Sequence, residues 1–202
     1  MIKNIVFDVG NVLVRYKPKE FIRKFTDNTS HQNLLLNAIF HSPEWIKYDR
    51  GTITKAALKE AACLKLPAIL QTTAVEMIED WYKEIKPIAE MEQVLLKLKE
   101  KGYQLYILSN TSLAFYQFKD KIPGLDYFDG IFLSAEWHMI KPEAEIYKTF
   151  CSHFQLVPAH CFFIDDMPLN IEAAMNMGMN GTVFRGDIEE LLQHFNEAEI
   201  TI

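Results

Sequence analysis

The chain has 202 residues, of which 49% are hydrophobic and 24% are charged, and its formal net charge is −6. This length suits one globular unit, or a core with a substantial insertion, and the apolar content can fill a buried core. The acidic excess argues against nucleic acid or an anionic membrane as the main partner. Three scattered cysteines, no signal peptide and no apolar run near the ~20 residues of a membrane span predict a cytoplasmic protein.

The first predicted strand is the apolar run at residues 4–7, which leads directly into Asp8. From about residue 18 to residue 86 the apolar side chains recur at helical spacing, with Thr54 as a predicted N-cap, and no convincing strand occurs. Pro87 ends this stretch. A long helical segment therefore separates the first strand from the remainder of the chain.

After Pro87 the predicted strands and helices alternate. A helix with an apolar face ends at Gly102, and further strands are predicted at 104–108, 130–133, 161–164 and 182–184, with helices near 112–119, 143–154, before Gly178 and from Asp187. This alternation predicts an α/β fold with a doubly wound parallel sheet and right-handed crossovers. The predicted core comprises residues 1–15 and 87–202, and residues 16–86 form an inserted helical cap domain.

Polar side chains follow three of the predicted strands at their carboxyl ends. Asp8 follows the first strand, Ser109–Asn110 follows the second, and Asp165–Asp166 follows the fourth, with Lys141 between the last two in sequence. In an open parallel α/β sheet this edge is where ligands bind. The set predicts a magnesium-dependent site for a phosphoryl group.

The acidic residues of this set suit a magnesium ion. Magnesium takes few protein carboxylates, keeps several waters and accepts a phosphate oxygen. Asp8 and Asp166 are sufficient to hold one ion between two adjacent strand ends, and Asp165 can assist through a water molecule. We therefore expect Mg²⁺ as the cofactor.

The remaining residues of the set suit a phosphate ester. Ser109 and the backbone N–H groups of Asn110 and Thr111 lie just after a strand, where they can cradle phosphate oxygens. Lys141 supplies a compact positive charge. Attack by Asp8 on the phosphorus would give an aspartyl-phosphate, which water then hydrolyses.

Four ordered segments carry a family resemblance. They are Phe7-Asp8-Val9-Gly10-Asn11-Val12-Leu13, Leu108-Ser109-Asn110-Thr111, the Ser134–Tyr147 segment around Lys141-Pro142-Glu143, and Phe163-Ile164-Asp165-Asp166 followed by Asn170-Ile171. Together they resemble the four motifs of the haloacid dehalogenase-like hydrolases, whose helical cap is inserted at the same place. The Asp-x-Gly-Asn-Val form and the Arg50-Gly51-x-Ile53 turn are most similar to the branch that includes bacterial glucose-1-phosphate phosphatases.

The resemblance implies roles for the matching residues. Asp8 is expected to be nucleophile and metal ligand, Asp166 a second metal ligand, and Ser109 and Lys141 phosphate binders. The backbone carbonyl of Gly10 is expected to coordinate the magnesium. The implied activity is hydrolysis of small phosphorylated metabolites, with sugar phosphates as the expected substrates.

Two departures from the family pattern stand out. Gly10 occupies the position where family phosphatases usually carry an aspartate that protonates the leaving group, a contribution of roughly 10²–10⁴-fold. His138 stands where the third motif often has glycine. Asp165, His138 or a cap side chain is a candidate replacement for the missing acid, and the tract from Trp45 to Arg50 either covers the substrate or packs the cap helices together.

Two alternatives remain open from the sequence. One is a catalytically impaired module that binds a phosphorylated ligand without efficient turnover, for which Gly10 is the support. The other is a metal-free 2-haloacid dehalogenase, which also lacks the second aspartate but usually carries an aromatic residue at that position. The sequence leaves the physiological substrate and the oligomeric state undetermined.

Overall fold

The structure, a computed structural model, describes all 202 residues. Its strands are β1 (Asn4–Phe7), β2 (Val14–Arg15), β3 (Lys86–Pro87), β4 (Gln104–Ser109), β5 (Gly130–Leu133), β6 (Cys161–Asp165) and β7 (Asn180–Val183). Its α-helices are α1 (Pro18–Ile22), α2 (Thr29–Ala38), α3 (Pro43–Asp49), α4 (Lys55–Lys65), α5 (Ala68–Asp80), α6 (Glu90–Glu100), α7 (Phe115–Phe118), α8 (Ser134–Trp137), α9 (Ala144–His153), α10 (Pro168–Asn176) and α11 (Ile188–Glu197). Strands and helices alternate after β3, as the sequence predicts.

Five strands form one parallel sheet in the order β5-β4-β1-β6-β7. All four residues of β1 are buried, which is expected for a central parallel strand with helices on both faces of the sheet. Phe7 at the end of β1 lies opposite Ile107 in β4 and Ile164 in β6. The predicted α/β fold with a parallel sheet is confirmed.

The strand order reverses beside β1. The chain passes from β1 to β4 and β5 on one side and then returns to β6 and β7 on the other. Ligands of such sheets bind in the crevice at the carboxyl ends of the strands, where the order reverses. The register therefore places the residues that follow β1, β4 and β6 at one crevice.

The helical segment lies between two short strands that pair with each other. β2 and β3 are antiparallel, with Val14 opposite Pro87 and Arg15 opposite Lys86. Helices α1 to α5 lie between them, and we call residues 16–86 the cap segment. Its division from the core as a separate domain remains a prediction. The sequence did not indicate this strand pair, because two residues are too few to show a period.

Local sequence signals account for several element boundaries. The Thr54 side chain accepts the Ala57 N–H at 3.1 Å, which confirms the predicted N-cap of α4. Gly102 follows α6 with a φ of +85°, a conformation that glycine adopts without strain. The helix predicted near 112–119 is shorter, since α7 covers only Phe115–Phe118, and the Ser112 N–H before it donates to Asp49 of the cap segment.

The apolar interior continues from the sheet into the cap segment. One cluster joins Ile5 and Phe7 of β1 to Leu58 and Ala74 of the cap helices. None of the helices combines the length and the apolar composition that crossing a bilayer requires. The cap segment is thus packed on the sheet edge where the polar strand ends lie.

Candidate active site

Three of the predicted site residues meet at the carboxyl end of the sheet. The Asp8 N–H donates to the Ile164 carbonyl at 2.9 Å, which places Asp8 beside the end of β6. The Lys141 Nζ lies 2.9 Å from Asp8 Oδ1 and 2.7 Å from Asp165 Oδ2. It also donates to the Leu108 carbonyl of β4 at 2.8 Å. One ammonium therefore connects three neighbouring strands.

The ammonium of Lys141 is completely buried, and its side chain has no exposed surface. Burial disfavours the charged form, but the carboxylates of Asp165 and Asp8 outweigh this effect and raise the pKa of Lys141. The side chain is therefore a permanent positive charge next to Asp8. Its charge offsets the negative charge of Asp8 and Asp165, which reduces the repulsion that an anionic ligand would meet at this place.

The side chain of Asn110 positions Lys141. Its amide nitrogen donates to the Lys141 carbonyl at 2.9 Å, and its carbonyl oxygen accepts the Lys141 N–H at 2.8 Å. Both ends of the Asn110 amide are thus occupied by the backbone of Lys141. The sequence gave no reason to expect that Asn110 positions Lys141 in this way. The predicted substrate binding by Asn110 would have to come from its backbone, and it remains a prediction.

Asp165 is saturated with hydrogen bonds inside the protein. Its Oδ1 accepts the Met167 N–H at 2.8 Å, and Asn170 Nδ2 donates to both carboxylate oxygens at 3.0 Å. Together with Lys141 these contacts fix its orientation. Asp165 therefore anchors Lys141, and its predicted part in holding a metal through water remains a prediction.

The three aspartates nevertheless form a cluster that suits a divalent cation. One carboxylate oxygen from each of Asp8, Asp165 and Asp166 lies within 4.8 Å of the others. Asp8 Oδ1 is buried, and its close partner is the Lys141 ammonium at 2.9 Å. Carboxylate oxygens of this number and spacing fit magnesium.

The electrostatics of the cluster favour a further positive charge. Burial raises the pKa of Asp8 to about 6, Lys141 opposes the rise, and Asp165 adds to it. Burial is also the main reason why the pKa of Asp166 is raised. Since both carboxylates are disfavoured as anions, a cation between them would stabilise their charged forms.

Asn11 orients Asp166, a role that the sequence analysis missed. It adopts the left-handed conformation, with a φ of 54°, which asparagine tolerates better than most residues. Its Nδ2 donates to Asp166 Oδ2 at 2.9 Å, and its Oδ1 accepts the Tyr16 N–H at 3.1 Å. The adjacent Gly-Asn pair is the signal that could have indicated such a turn.

Gly10 is not required by its backbone conformation. Its φ lies outside the left-handed region, and an added Cβ would meet only the Tyr16 Cβ, at 3.8 Å. A Cβ atom therefore has room at this position. The expected coordination of a metal by the Gly10 carbonyl remains a prediction.

Ser109 lies beside the predicted nucleophile. It is buried at the end of β4, and its side chain lowers the pKa of Asp8. The predicted phosphate cradle around it is smaller than expected, however, because the Thr111 N–H donates to Ser134 Oγ at 2.9 Å. The expected contribution of Thr111 to the cradle is therefore wrong in this structure.

A small cavity of about 60 Å³ lies between the core and the cap segment. Its lining includes Gly10, Ser109 and Asn110 from the core and Tyr16, Asp49 and Trp81 from the cap segment. A second cavity of about 280 Å³ adjoins it, and Tyr16, Trp81 and Ile85 line both. The inner cavity is well below the 300–1,000 Å³ typical of sites for small organic ligands. The inner cavity alone is therefore too small for such a ligand.

The turn after α3 rests on the core. Arg50 Nη1 pairs with Glu143 Oε2 at 2.9 Å, and Arg50 also offers its carbonyl to His138 Nδ1 at 3.3 Å. Gly51, with a φ of +74°, approaches so closely that an added Cβ would lie 2.3 Å from the Ala135 carbonyl oxygen. His138 is exposed at this contact and does not line the inner cavity, so the structure offers no support for it as the missing acid.

Trp45 takes part in both arrangements that the sequence left open. Its ring packs against Phe40 and Trp81 of the cap segment, with centroids 4.7 Å and 5.5 Å apart. It also lines the inner cavity. The aromatic tract therefore packs the cap segment together and forms part of the cavity wall.

The family model for haloacid dehalogenase-like hydrolases matches residues 2–178, and the chain belongs to this family of enzymes. The sesquiterpene phosphatase astK of Aspergillus oryzae is 28% identical over 183 residues, which cover 89% of this chain and 88% of that protein. The D-ribitol-5-phosphate phosphatase of Bacteroides thetaiotaomicron is 22% identical, with 95% and 99% covered. Similarity to the glucose-1-phosphate phosphatase branch remains a prediction.

Solved structures agree with this family. A family enzyme of Bacteroides thetaiotaomicron, crystallised with magnesium and inorganic phosphate, superposes with a TM-score of 0.73 at 26% identity and covers 95% of this chain and 99% of its own. The L-2-haloacid dehalogenase of Xanthobacter autotrophicus gives a TM-score of 0.68 at 19% identity, with 100% and 85% covered. The second likeness concerns the fold alone.

Proposed function

We propose that the protein is a magnesium-dependent phosphatase that hydrolyses small phosphorylated metabolites, with sugar phosphates as the expected substrates. The observation that supports this most directly is the buried ammonium of Lys141, paired with Asp8 and Asp165 beside a third carboxylate, Asp166. The phosphatase relatives, and the magnesium and phosphate bound by the Bacteroides enzyme, are consistent with it.

In the proposed reaction Asp8 is the nucleophile. One of its carboxylate oxygens forms a bond to phosphorus, and the bond between phosphorus and the leaving oxygen breaks. Lys141, already desolvated and fixed, offsets the negative charge of the phosphoryl group without reorganising. Water then attacks the phosphorus of the aspartyl-phosphate and returns Asp8 to its free form.

Magnesium would be held by Asp8 and Asp166, with the Gly10 carbonyl as a further oxygen ligand. When bound, it supplies a Lewis acid for a phosphoryl oxygen and lowers the repulsion between that group and Asp8. Asn11 keeps the Asp166 carboxylate in place through its hydrogen bond at 2.9 Å. The site would thus use two positive charges, the ammonium of Lys141, which is fixed in the protein, and a magnesium ion, which can exchange with solvent.

The cap segment would control entry and select the substrate. The inner cavity of about 60 Å³ is lined by Tyr16, Trp81 and other cap residues. The paired strands β2 and β3 are the natural hinge, because both connections of the cap segment pass through them. Cap side chains that face the leaving group would then decide which metabolite is accepted.

The test is phosphate release from p-nitrophenyl phosphate and from a panel of phosphorylated metabolites, with magnesium and with EDTA. We expect turnover that requires magnesium and falls to background in Asp8→Asn, which keeps the size of the side chain but removes the nucleophilic anion. Asp27→Asn, an exposed aspartate of the cap segment, is the matched control and should behave as wild type. More than a few per cent of wild-type rate in Asp8→Asn would contradict the covalent mechanism.

The alternatives give different results in the same assay. An impaired binding module would bind phosphate but release none from any ester, with or without magnesium. A 2-haloacid dehalogenase would release halide from a 2-haloacid in EDTA and ignore phosphate esters. The acidic cluster of Asp8, Asp165 and Asp166 favours the metal-dependent reaction over the metal-free one.

A further inference from the structure

The inner cavity contains one carboxyl group that the proposed reaction does not yet use. Asp49 is the last residue of α3 in the cap segment, and it is the only acidic residue among those that line this cavity. Gly10 and Ser109 line the same cavity from the core. The Asp49 carboxyl group is therefore on the wall opposite Gly10 and Ser109, two residues that adjoin the predicted nucleophile Asp8 in sequence or through its side chain.

Asp49 is held in place by the core. Its Oδ1 accepts the Ser112 N–H at 3.1 Å, and its backbone carbonyl accepts a hydrogen bond from Ser134 Oγ at 2.5 Å. Ser112 lies in the loop after β4, three residues beyond Ser109, and Ser134 follows β5. Closure of the cap segment thus seats Asp49 on the loops that carry the predicted phosphate site.

The backbone at Gly10 does not explain why an acid is missing there. A Cβ atom would fit at that position without backbone strain, since it would meet nothing closer than 3.8 Å. Neither the backbone conformation nor the space for a Cβ therefore accounts for the absence of the family's usual acid. A carboxyl group supplied from the opposite wall of the cavity makes such an acid unnecessary.

We propose that Asp49 is the general acid and base of the reaction, in the role usually held by an aspartate at the position of Gly10. This inference rests on the proposed phosphatase function. As the bond between phosphorus and the leaving oxygen breaks, the electron pair goes to that oxygen and the Asp49 carboxyl gives it a proton. In the second step the Asp49 carboxylate takes a proton from the attacking water, and the Asp8–phosphorus bond breaks with its electron pair returning to Asp8.

The surroundings of Asp49 agree with this role. Burial raises the pKa of Asp49 to about 8, Asp8 adds to the rise, and the Ser112 N–H and Trp45 oppose it. The other titratable group near it is Tyr16, whose own pKa is raised by burial and by Asp49. The neighbouring Arg50 is paired with Glu143. The raised pKa favours the protonated form of Asp49 near neutral pH, which is the form that a general acid needs.

The decisive variant is Asp49→Asn, because asparagine keeps the oxygen that accepts the Ser112 N–H and loses only the proton chemistry. On alkyl phosphates, whose leaving groups need protonation, we expect the steady-state rate to fall roughly 10²–10⁴-fold. On p-nitrophenyl phosphate the first step needs no acid, so a rapid burst of p-nitrophenol should remain, followed by slow turnover. Asp27→Asn should leave both substrates at the wild-type rate.

The burst also reports that the variant is folded and binds substrate. A loss of burst and steady-state rate alike on both esters would show that Asp49 only shapes the loop, and it would overturn the proposal. An unchanged rate on alkyl phosphates would overturn it as well. A wild-type protein inactive on both esters in magnesium would refute the phosphatase function itself, and the role of Asp49 with it.

Discussion

Replacing Lys141 by methionine tests the electrostatic core of the site. The change keeps a linear side chain of similar size but leaves Asp8 and Asp165 facing each other without the ammonium that lies 2.9 Å and 2.7 Å from them. Removing one partner of a buried ion pair costs about 3–5 kcal/mol, since a buried charge loses its compensation. For a chain of 202 residues this corresponds to a fall in Tm of about 7–12 °C.

The pH dependence gives the reasoning a second, independent check. The pKa of Asp8 is already raised to about 6 with Lys141 present. Without the ammonium it rises further, so the folded variant takes up a proton at a pH where the unfolded chain does not. Its destabilisation is therefore present at high pH and is relieved as the pH falls through that raised pKa. Thermal unfolding by circular dichroism at pH 8 and pH 5.5, in EDTA, measures both effects.

A matched control separates burial from the mere loss of an ion pair. Lys99→Met removes the ammonium that pairs with Asp129 at 2.8 Å, where both side chains are about one-third exposed. Such a pair contributes only ~0–1 kcal/mol. In the double variant Lys141→Met with Asp165→Asn, the loss should be smaller than the sum of the single losses, because one of the uncompensated carboxylates is gone. A Tm within about 2 °C of wild type for Lys141→Met at pH 8 would refute this account.

Three further results are expected. Asp166→Asn should raise the magnesium concentration needed for half-maximal activity, because the carboxylate that Asn11 orients is lost. An unchanged magnesium titration would show that Asp166 does not bind the metal. Arg50→Met should raise KM by about fivefold or less while kcat changes little, since a part-exposed ion pair with Glu143 contributes ~0–1 kcal/mol to seating the cap segment. Asp49→Asn should also flatten the pH dependence of stability. The pKa of Asp49 is about 8 in the folded protein and 3.8 ordinarily, so the wild-type protein loses stability as the pH rises between these two values. Urea unfolding across that pH range measures the difference.

The sequence predicted the parts of the site that lie at the ends of strands. Apolar runs identify buried strands, and a parallel sheet brings their carboxyl ends together, so the approach of Asp8 to Asp165 follows from pattern and topology. Lys141 was predicted from its charge and its position between two of the strand ends, and its match to a family motif supported this. The structure adds that its ammonium is wholly buried and that Asn110 holds its backbone.

Contacts between distant segments could not be predicted in the same way. Asp49 and Ser112 are 63 residues apart, and nothing local in either segment indicates that they meet. The turn of Asp49, Arg50 and Gly51 was recognised only as a family pattern, and its close approach to Ala135 depends on the packing of the whole cap segment. The strand pair of β2 and β3 was missed because its two residues on each side show no periodicity.

The last prediction concerns Gly10 and Asp49 together. Gly10→Asp places an acid where the backbone and the free space accept a side chain, since the nearest atom to an added Cβ is 3.8 Å away. If Asp49 already supplies the proton, this change gains little in the wild-type background. In the Asp49→Asn background it should restore a large part of the alkyl phosphate rate, because either acid alone can protonate the leaving oxygen.

The wild type, Gly10→Asp, Asp49→Asn and the double variant form a double-mutant cycle. Their rates on one alkyl phosphate and on p-nitrophenyl phosphate measure the coupling between the two positions. Strong coupling on the alkyl ester, with little on the aryl ester, is the expected outcome, because only the alkyl leaving group needs a proton. If Gly10→Asp raised the alkyl rate equally in both backgrounds, the two residues would act independently. The wild-type protein would then have no general acid. Its hydrolysis rate should in that case depend steeply on the pKa of the leaving group, as expected for an impaired phosphatase.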